Sequence, residues 1–348
     1  MKALKILPHT LKFKFEAQTS RGSMTDRQVW YLIVEEDGFT GIGEAAPIPG
    51  LSADDMTHWE AKLQWLKDHI NDDEKKIKSA LKHFPALYFG YEMAMKSIDC
   101  EHPMMLYPSV FTAGRAGIPI NGLVWMNKAQ HMQSQIDRLI DEGFTILKMK
   151  VGGIDWAEEL KLIKELRKKY DSTEIQLRLD ANGAWTPTEA IEKLNRLSEL
   201  EIHSIEQPIK PGQWEEMARI CAESPIPIAL DEELIGITEL KKKKDLINSI
   251  TPDYLIIKPT LLGGFKASEE WIKLARENGI DWWVTSALES NIGLNAISQW
   301  VVTQLPNMPQ GLGTGSLFEN NIPSPLQVRK GKLLIDNRLS WDLSAITL

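Results

Sequence analysis

Two different patterns of apolar residues divide the chain at about residue 114. Before that point, "LKILPHTLKFKF" (4–15) and "VWYLIVEEDGFTGIGEAAP" (29–47) alternate apolar and polar residues around the turn signal "EEDG". This alternation predicts antiparallel strands. "MTHWEAKLQWLKDHI" and "ALYFGYEMAMKSIDC" follow with apolar residues at helical spacing. Residues 1–113 therefore predict an α+β unit.

From residue 114 onward, short β-rich segments alternate with amphipathic helical segments such as "DWAEELKLIKELRKKY". The β-rich segments begin 23 to 29 residues apart, close to the length of one βα unit. They are "IPINGLVWM" at 118, "TILKMKV" at 145, "EIQLRLD" at 174, "HSIEQP" at 203, "IPIALDE" at 226, "YLIIKPT" at 254, "DWWVTSALE" at 281 and "QGLGTG" at 310.

Eight strands with intervening helices favour a (β/α) barrel, and an open doubly wound sheet is the alternative. A dinucleotide-binding sheet needs a glycine-rich turn that leads from a strand into a helix. The nearest match is "GLGTG" at 311–315, where neither the glycine spacing nor a following helix fits.

Three of the predicted strands end in a carboxylate. These are Asp180 in "QLRLDANG", Glu206 in "SIEQP" and Asp231 in "PIALDEEL". A single Asp at a strand end is more often the N-cap of the next helix. Three on consecutive strands would meet at one rim of a barrel and repel one another unless a cation is present. Their oxygen ligands suit a hard divalent cation such as Mg²⁺.

Lysines occupy the corresponding positions of two other strands. Lys148 and Lys150 lie two residues apart in "FTILKMKVGG", so they share one face of the strand. Lys258 ends the apolar run of "YLIIKPT", where a lone lysine would most simply extend its head group to water. Together these lysines predict ammonium groups on opposite sides of the barrel mouth, with the carboxylates between them.

The bulk composition limits the partners. The 40 Lys and Arg residues against 48 Asp and Glu residues give a net charge of -8, which disfavours a general nucleic-acid binder. The N-terminus lacks the apolar core of a signal peptide, no apolar run is long enough to span a membrane, and the two cysteines imply no disulfide framework. These features predict a cytoplasmic protein whose partner is a small molecule, and they leave the oligomeric state open.

The motifs "LKMKVG", "LDANGAW", "IEQP", "LDEEL" and "IIKPTLLGG", in this order and spacing, resemble the muconate-lactonizing subgroup of the enolase superfamily. The resemblance covers nearly the whole chain. It implies a modified TIM barrel, (β/α)7β, over 114–319, and an α+β capping domain built from 1–113 and completed by the C-terminal tail, 320–348.

The resemblance also implies the roles of the charged residues. Asp180, Glu206 and Asp231 would hold Mg²⁺, for which Mn²⁺ could substitute, and the metal would bind a substrate carboxylate. Lys150 and Lys258 would be the acid/base residues. Lys148 would support the developing charge and help to keep Lys150 neutral.

Segments near the predicted substrate pocket resemble those of the o-succinylbenzoate synthases, a group within this subgroup. They are "INGLVWM" (120–126), "VTSALESNIGL" (284–294) and "GLGTGSLF" (311–318), and no acid pair of the kind that dipeptide epimerases carry at the eighth strand occurs before Glu319. The resemblance implies Mg²⁺-dependent dehydration of a cyclic carboxylate in menaquinone synthesis. Predicted substrate-binding residues are Arg21, Asn121, Ser286, Glu289, Gly313 and Thr314.

Two other kinds of function stay open at this point. Opposed lysines are also what a racemase or epimerase of N-acylamino acids or dipeptides requires, and muconate cycloisomerase is a weaker alternative. A barrel that binds a carboxylate without catalysis is a different class of protein, but intact lysines and carboxylates disfavour it.

Overall fold

The computed structural model describes residues 1–19 and 22–346. Arg21, a predicted substrate-binding residue, lies outside these ranges. No helix in the described ranges has the length and apolar character needed to cross a lipid bilayer.

The capping unit begins with a three-stranded antiparallel sheet in the order β1-β2-β3, as the alternation predicted. Its strands are β1 (Ala3–Thr19), β2 (Gly22–Glu36) and β3 (Phe39–Ala45). The turn between β2 and β3 has Asp37 and Gly38 at positive φ, 51° and 86°, the geometry that matches the twist of a tight hairpin. Helices α1 (Trp59–Asp68), α2 (Glu74–Ala80) and α3 (Pro85–Ile98) follow, and α3 lies against β3.

The second unit is a curled sheet of seven parallel strands in the order β11-β10-β9-β8-β7-β6-β5. Its strands are β5 (Gly122–Val124), β6 (Ile146–Lys150), β7 (Gln176–Asp180), β8 (Ser204–Glu206), β9 (Ile228–Leu230), β10 (Tyr254–Ile257) and β11 (Asp281–Val284). The helices between and after them are α4 (Ala129–Asp141), α5 (Trp156–Lys169), α6 (Pro187–Leu197), α7 (Trp214–Glu223), α8 (Leu240–Ile250), α9 (Pro259–Leu262), α10 (Phe265–Glu277) and α11 (Asn291–Thr303). This is the predicted (β/α)7β barrel.

The barrel closes through a shorter eighth strand than the sequence predicted. Of the residues that the structure describes, only Gln310 and Gly311 bridge the gap. Gly311 N–H donates to Val284 C=O at 2.8 Å, and Asn121 N–H donates to Gln310 C=O at 3.0 Å. The rest of "QGLGTG" turns away into a 3-10 turn at Thr314–Ser316. Alternating glycines leave little side-chain surface to pack in a strand, which explains the short pairing.

The first predicted barrel strand is split between two sheets. β4 (Ile118–Pro119) pairs with the C-terminal hairpin formed by β12 (Leu326–Arg329) and β13 (Lys332–Ile335), while β5 joins the barrel. The tail also reaches β1, where Lys12 N–H donates to Asn320 Oδ1 at 2.8 Å. The tail thus contacts both units, and the domain boundaries at 113 and 320 stay a prediction.

Candidate active site

The strands of the barrel point one set of side chains at the helices and the other into the barrel. On β6, Leu147 and Met149 are fully buried in the layer between sheet and helices. Lys148 and Lys150 alternate with them and therefore face inward. The same alternation on the neighbouring strands brings Asp180, Glu206, Asp231 and Lys258 to the mouth.

The two lysines of β6 meet a single carboxylate. The Nζ atoms of Lys148 and Lys150 lie 2.9 and 3.0 Å from the same Asp180 oxygen, Oδ2. Lys148 also donates to both Glu206 oxygens, at 2.6 and 2.7 Å. The predicted shared face is therefore confirmed, and the ammonium of Lys148 bridges two of the predicted metal ligands.

Lys258 lies across the mouth from Lys148. In the sheet order, β10 and β6 are separated by β9, β8 and β7, the strands that carry or lead into the three carboxylates. The ammonium of Lys258 donates to Asp231 Oδ2. The side chains of Lys150 and Lys258 are 10% and 13% exposed, so each reaches the edge of the open space at the mouth.

Burial and mutual charge set the protonation of this cluster. Burial by itself would lower the pKa of Lys148, but the carboxylates of Asp180, Glu206 and Asp231 hold it above its ordinary value. The pKa of Lys258 is raised for the same reason, against burial and chiefly by Asp231. The pKa of Asp180 is lowered because the lysines outweigh the penalty of burial, whereas burial and the neighbouring carboxylates raise that of Glu206.

The structure adds residues that the sequence reasoning missed. Asn182 Oδ1 accepts from Lys150 at 2.6 Å, and Asn182 Nδ2 donates to Glu232 at 3.0 Å. Gln207, at a φ of 41°, accepts through Oε1 from the backbone N–H of Asp231 at 3.2 Å. Asn182 and Gln207 follow strand ends within "LDANG" and "IEQP", so their place next to charged strand ends was a usable signal.

The donor set suits a hard divalent cation by its chemistry but not by its spacing in this structure. Asp180, Glu206 and Asp231 are 1 to 2% exposed, lie on or directly after adjacent strands, and offer oxygen ligands with no competing soft donor. Among residues 1–19 and 22–346, no three His, Cys, Asp or Glu side chains are grouped closely enough to hold an ion. In the geometry described here, the lysine ammonium groups neutralise these carboxylates.

A cavity of about 1600 Å³ opens above the cluster, between the barrel mouth and the capping unit. It is lined at its base by Lys148, Lys150 and Lys258, and on the capping side by Phe15, Met24 and Leu51. The polar floor and the partly apolar walls suit a small carboxylate with a nonpolar ring.

Four predicted substrate-binding residues line this cavity: Asn121, Ser286, Gly313 and Thr314. Ser286 Oγ and Thr314 Oγ1 are 2.6 Å apart and hydrogen-bonded. The buried Oδ1 of Asn121 has no hydrogen-bond partner in the described part of the chain, which leaves an acceptor at the cavity wall. Their contact with a substrate stays a prediction.

Glu289 is placed differently from the other predicted substrate-binding residues. It is fully buried and absent from the cavity lining. Its carboxylate accepts from Thr260 Oγ1 and from the backbone N–H of Ala287, at 2.8 Å for the latter. These contacts favour a structural role, because a carboxylate engaged in this way does not face the cavity.

The fold and the site together define a class: a (β/α) barrel enzyme with opposed lysines and a carboxylate cluster at its mouth. The family described as "Enolase C-terminal domain-like" matches residues 131–339, and the family described as "MenC, N-terminal domain" matches residues 1–98.

Individual relatives narrow this class. The o-succinylbenzoate synthase of Desulfotalea psychrophila is 42% identical over an alignment that covers 93% of this chain and 96% of the relative. The crystal structure of MenC from that organism has a TM-score of 0.86 at 39% identity, over 96% of this chain and 99% of the other. The chain therefore belongs to the enolase superfamily and, within it, to the o-succinylbenzoate synthase family.

More distant structures share the fold alone. The L-Ala-D/L-Glu epimerase from Bacillus subtilis has a TM-score of 0.83 over 95% of both chains, but it is only 20% identical. Proteins of different activity thus share this architecture, and the fold does not by itself select the reaction.

Proposed function

We propose that the chain is an o-succinylbenzoate synthase, a hydro-lyase that converts 2-succinyl-6-hydroxy-2,4-cyclohexadiene-1-carboxylate to 2-succinylbenzoate and water. The observation that carries this proposal is the 42% identity to a synthase of that name over nearly the full length of both chains. The matching N-terminal family supports it, because the capping unit contributes one wall of the cavity.

The dehydration breaks two bonds and needs no oxidant. A base removes the ring proton next to the carboxylate, and the electron pair left behind expels the hydroxyl group from the neighbouring carbon, which makes the ring aromatic. We assign the base to Lys150, whose Nζ lies at the cavity floor within 2.6 Å of Asn182 Oδ1. The same ammonium then returns a proton to the departing hydroxyl group, so base and acid lie on one face of the ring and the elimination is syn.

Lys258 and Lys148 have different proposed tasks. Lys258 would face the other side of the ring and stabilise negative charge there, since its ammonium is fixed by Asp231. Lys148 is held by Asp180 and Glu206 with a raised pKa, so it would remain a fixed positive charge.

Asp180, Glu206 and Asp231 would hold Mg²⁺, with Mn²⁺ as a substitute. When bound, the ion would stabilise the negative charge that develops on the substrate carboxylate as the proton leaves. The buried oxygen donors on adjacent strand ends support this assignment.

The succinyl arm would lie against Ser286, Thr314 and the backbone at Gly313, which line one side of the cavity. Arg21 could meet the terminal carboxylate of the arm. The product would serve menaquinone synthesis, and we propose the cytoplasm as the compartment.

The experiment supplies the purified protein and Mg²⁺ with the hydroxycyclohexadiene substrate and follows loss of the diene absorbance. We expect 2-succinylbenzoate to form with one water released per turnover. Absence of dehydration would overturn the proposal, most decisively if N-succinylamino acids exchanged their α-proton for deuterium in D₂O. That result would favour racemisation, the alternative for which the opposed Lys150 and Lys258 are suited.

A further inference from the structure

Four consecutive residues of the segment between β11 and α11 line the cavity, 285–288. Ser286 and Leu288 both line it, and the backbone N–H of Leu288 donates to Ser286 Oγ at 3.3 Å. Leu288 has a φ of 63°, a left-handed conformation that residues with a side chain rarely adopt. Local preference therefore does not hold this segment in place, and its shape must come from its surroundings.

A buried arginine of the capping sheet fixes the middle of the segment. Arg27, on β2, donates through one terminal nitrogen to Ala287 C=O and through the other to Ala46 C=O. The N–H of Ala287 donates to Glu289 at 2.8 Å. Both backbone polar groups of Ala287, the residue before Leu288, thus have charged partners.

A buried glutamate of the same sheet fixes the end of the segment. Glu44, on β3, accepts from Ser290 N–H at 2.8 Å, from Ser290 Oγ at 2.6 Å and from Gly293 N–H at 2.8 Å. A Cβ atom at position 293 would lie 2.8 Å from Glu289 Cβ and 3.0 Å from Glu44 Oε2. Only glycine fits there, so the chain is shaped to admit the carboxylate.

None of these three charged groups reaches the cavity. Arg27, Glu44 and Glu289 are 4%, 0% and 0% exposed, and they are absent from its lining. Ionisable groups are costly to bury unless they are hydrogen-bonded, and all three of these are. Their partners include the backbone of Ala287 and Ser290, on either side of Leu288.

We propose that Arg27 and Glu44 are positioning residues through which the capping sheet sets the enzyme's selectivity for the acyl arm of its substrate. They act by holding 286–290 so that Ser286 and Leu288 contact the arm that does not react. This inference rests on the proposed function, since it assumes the arm lies along that wall. Binding energy from a remote arm helps to orient the reacting ring, so its loss also reduces turnover.

The test compares Glu44→Gln with a matched control, Glu92→Gln. Glu92 is also a largely buried glutamate of the capping unit, and it accepts from the N–H groups of Phe265 and Lys266 at the start of α10. Like Glu44, Glu92 is a capping-unit residue that hydrogen-bonds to the barrel. Its partners lie at the start of α10 and not in 286–290. In Glu44→Gln, the amide NH₂ would face the N–H of Ser290 or Gly293, where an acceptor is needed.

The readout is the ratio of the inhibition constants of benzoate and 2-succinylbenzoate, which differ by the arm alone. We expect Glu44→Gln to reduce this ratio about tenfold, the effect of one lost buried hydrogen bond, and to raise KM more than it lowers kcat. Glu92→Gln should leave the ratio within about twofold of the wild type.

Two further variants keep the test decisive if Glu44→Gln folds poorly. Arg27→Lys keeps one charged donor. Thr260→Val removes one hydroxyl donor from Glu289 and leaves its other contacts in place. Both variants should lower the ratio of inhibition constants less than Glu44→Gln does. An unchanged ratio in every folded variant, with normal dehydration by the wild type, would overturn this inference alone. A wild type that neither dehydrates the substrate nor binds 2-succinylbenzoate would instead overturn the proposed function.

Discussion

The two ends of the barrel strands carry different kinds of inward-facing residue. On β7, Arg178 and, two positions later, Asp180 both face inward; Ile256 on β10 and Lys258 directly after it do the same. At the carboxyl ends, charges of both signs contact one another below an open cavity. At the amino ends, Trp283 is fully buried and packs with Ile256 inside the barrel.

The difference shows how one set of strands keeps the candidate active site apart from a packed interior. The guanidinium of Arg178 lies 4.2 Å from the centre of the Trp283 ring and donates to Pro309 C=O at 3.1 Å. Burial lowers its pKa to about 10, so it stays charged at neutral pH while it lies over the Trp283 ring. A charge at the mouth can reach a ligand, whereas this charge serves packing.

The first way to test the comparison is to remove the proposed base. We expect Lys150→Ala to lower kcat by about 10²- to 10⁴-fold, the usual value of a general base, while the protein stays folded. Steady-state dehydration rates and circular dichroism measure the two effects. Lys161, an exposed lysine on α5, provides the control, and Lys161→Ala should keep the wild-type rate. If Lys150→Ala retained dehydration, the assignment of Lys150 as the base would be wrong.

At the opposite end, we expect Trp283→Ala to lower the free energy of unfolding by about 3–5 kcal/mol, because it leaves a cavity inside the barrel. Urea unfolding measures this change. The kcat of the folded fraction should stay within a few-fold of the wild type. Trp156, a half-buried tryptophan at the start of α5, is the control, and Trp156→Ala should cost less. If Trp283→Ala lowered kcat as much as Lys150→Ala does, the two ends would not differ in function.

Mg²⁺ should stabilise the folded protein through the carboxylates at the carboxyl ends of the strands, and not through those at the amino ends. At Mg²⁺ concentrations about 100 times Kd, we expect the wild type to gain about 2.7 kcal/mol in unfolding free energy, seen as a rise in Tm. Asp231→Asn should abolish this rise and activity together. Asp253→Asn, which alters the carboxylate that accepts from Ile228 N–H at the amino end, should keep the rise. A rise that survives Asp231→Asn would place the ion elsewhere.

Acid should weaken the amino end through His203, whose ring stacks on Tyr254 at 5.1 Å. Burial, with Arg178 adding to it, lowers the pKa of His203 to about 4 from 6.5. A lowered pKa favours the neutral ring, so its stabilising effect is full above pH 6.5 and is lost as the pH falls toward 4. Between pH 6.5 and 4, the Tm of His203→Gln should fall less than the Tm of the wild type. Equal falls of Tm in the two proteins would contradict the prediction.

Local patterns predicted most of the site because strand periodicity reports which residues share a face. Lys148 and Lys150 were assigned to one face by their spacing, and they contact the same oxygen of Asp180. The carboxylates were assigned to one rim by their place at consecutive strand ends. The identity of the metal and the substrate contacts stay predictions, because the lysines and the carboxylates contact one another in this structure.

Contacts between distant parts of the chain were not predictable in the same way. The brevity of the eighth strand, the pairing of β4 with β13 and the burial of Glu289 all depend on which segments meet when the barrel closes. Arg27 and Ala287 are 260 positions apart, and no periodicity in either segment indicates their contact.

The sequence by itself determined the order of strands and helices, the inward faces and the chemical character of the mouth, since these follow from the alternation of side chains along each strand. Only the tertiary structure decided which carboxylate each lysine contacts and which capping residues hydrogen-bond to the segment that lines the cavity. Such choices depend on distances across the closed barrel, and a linear pattern does not contain them.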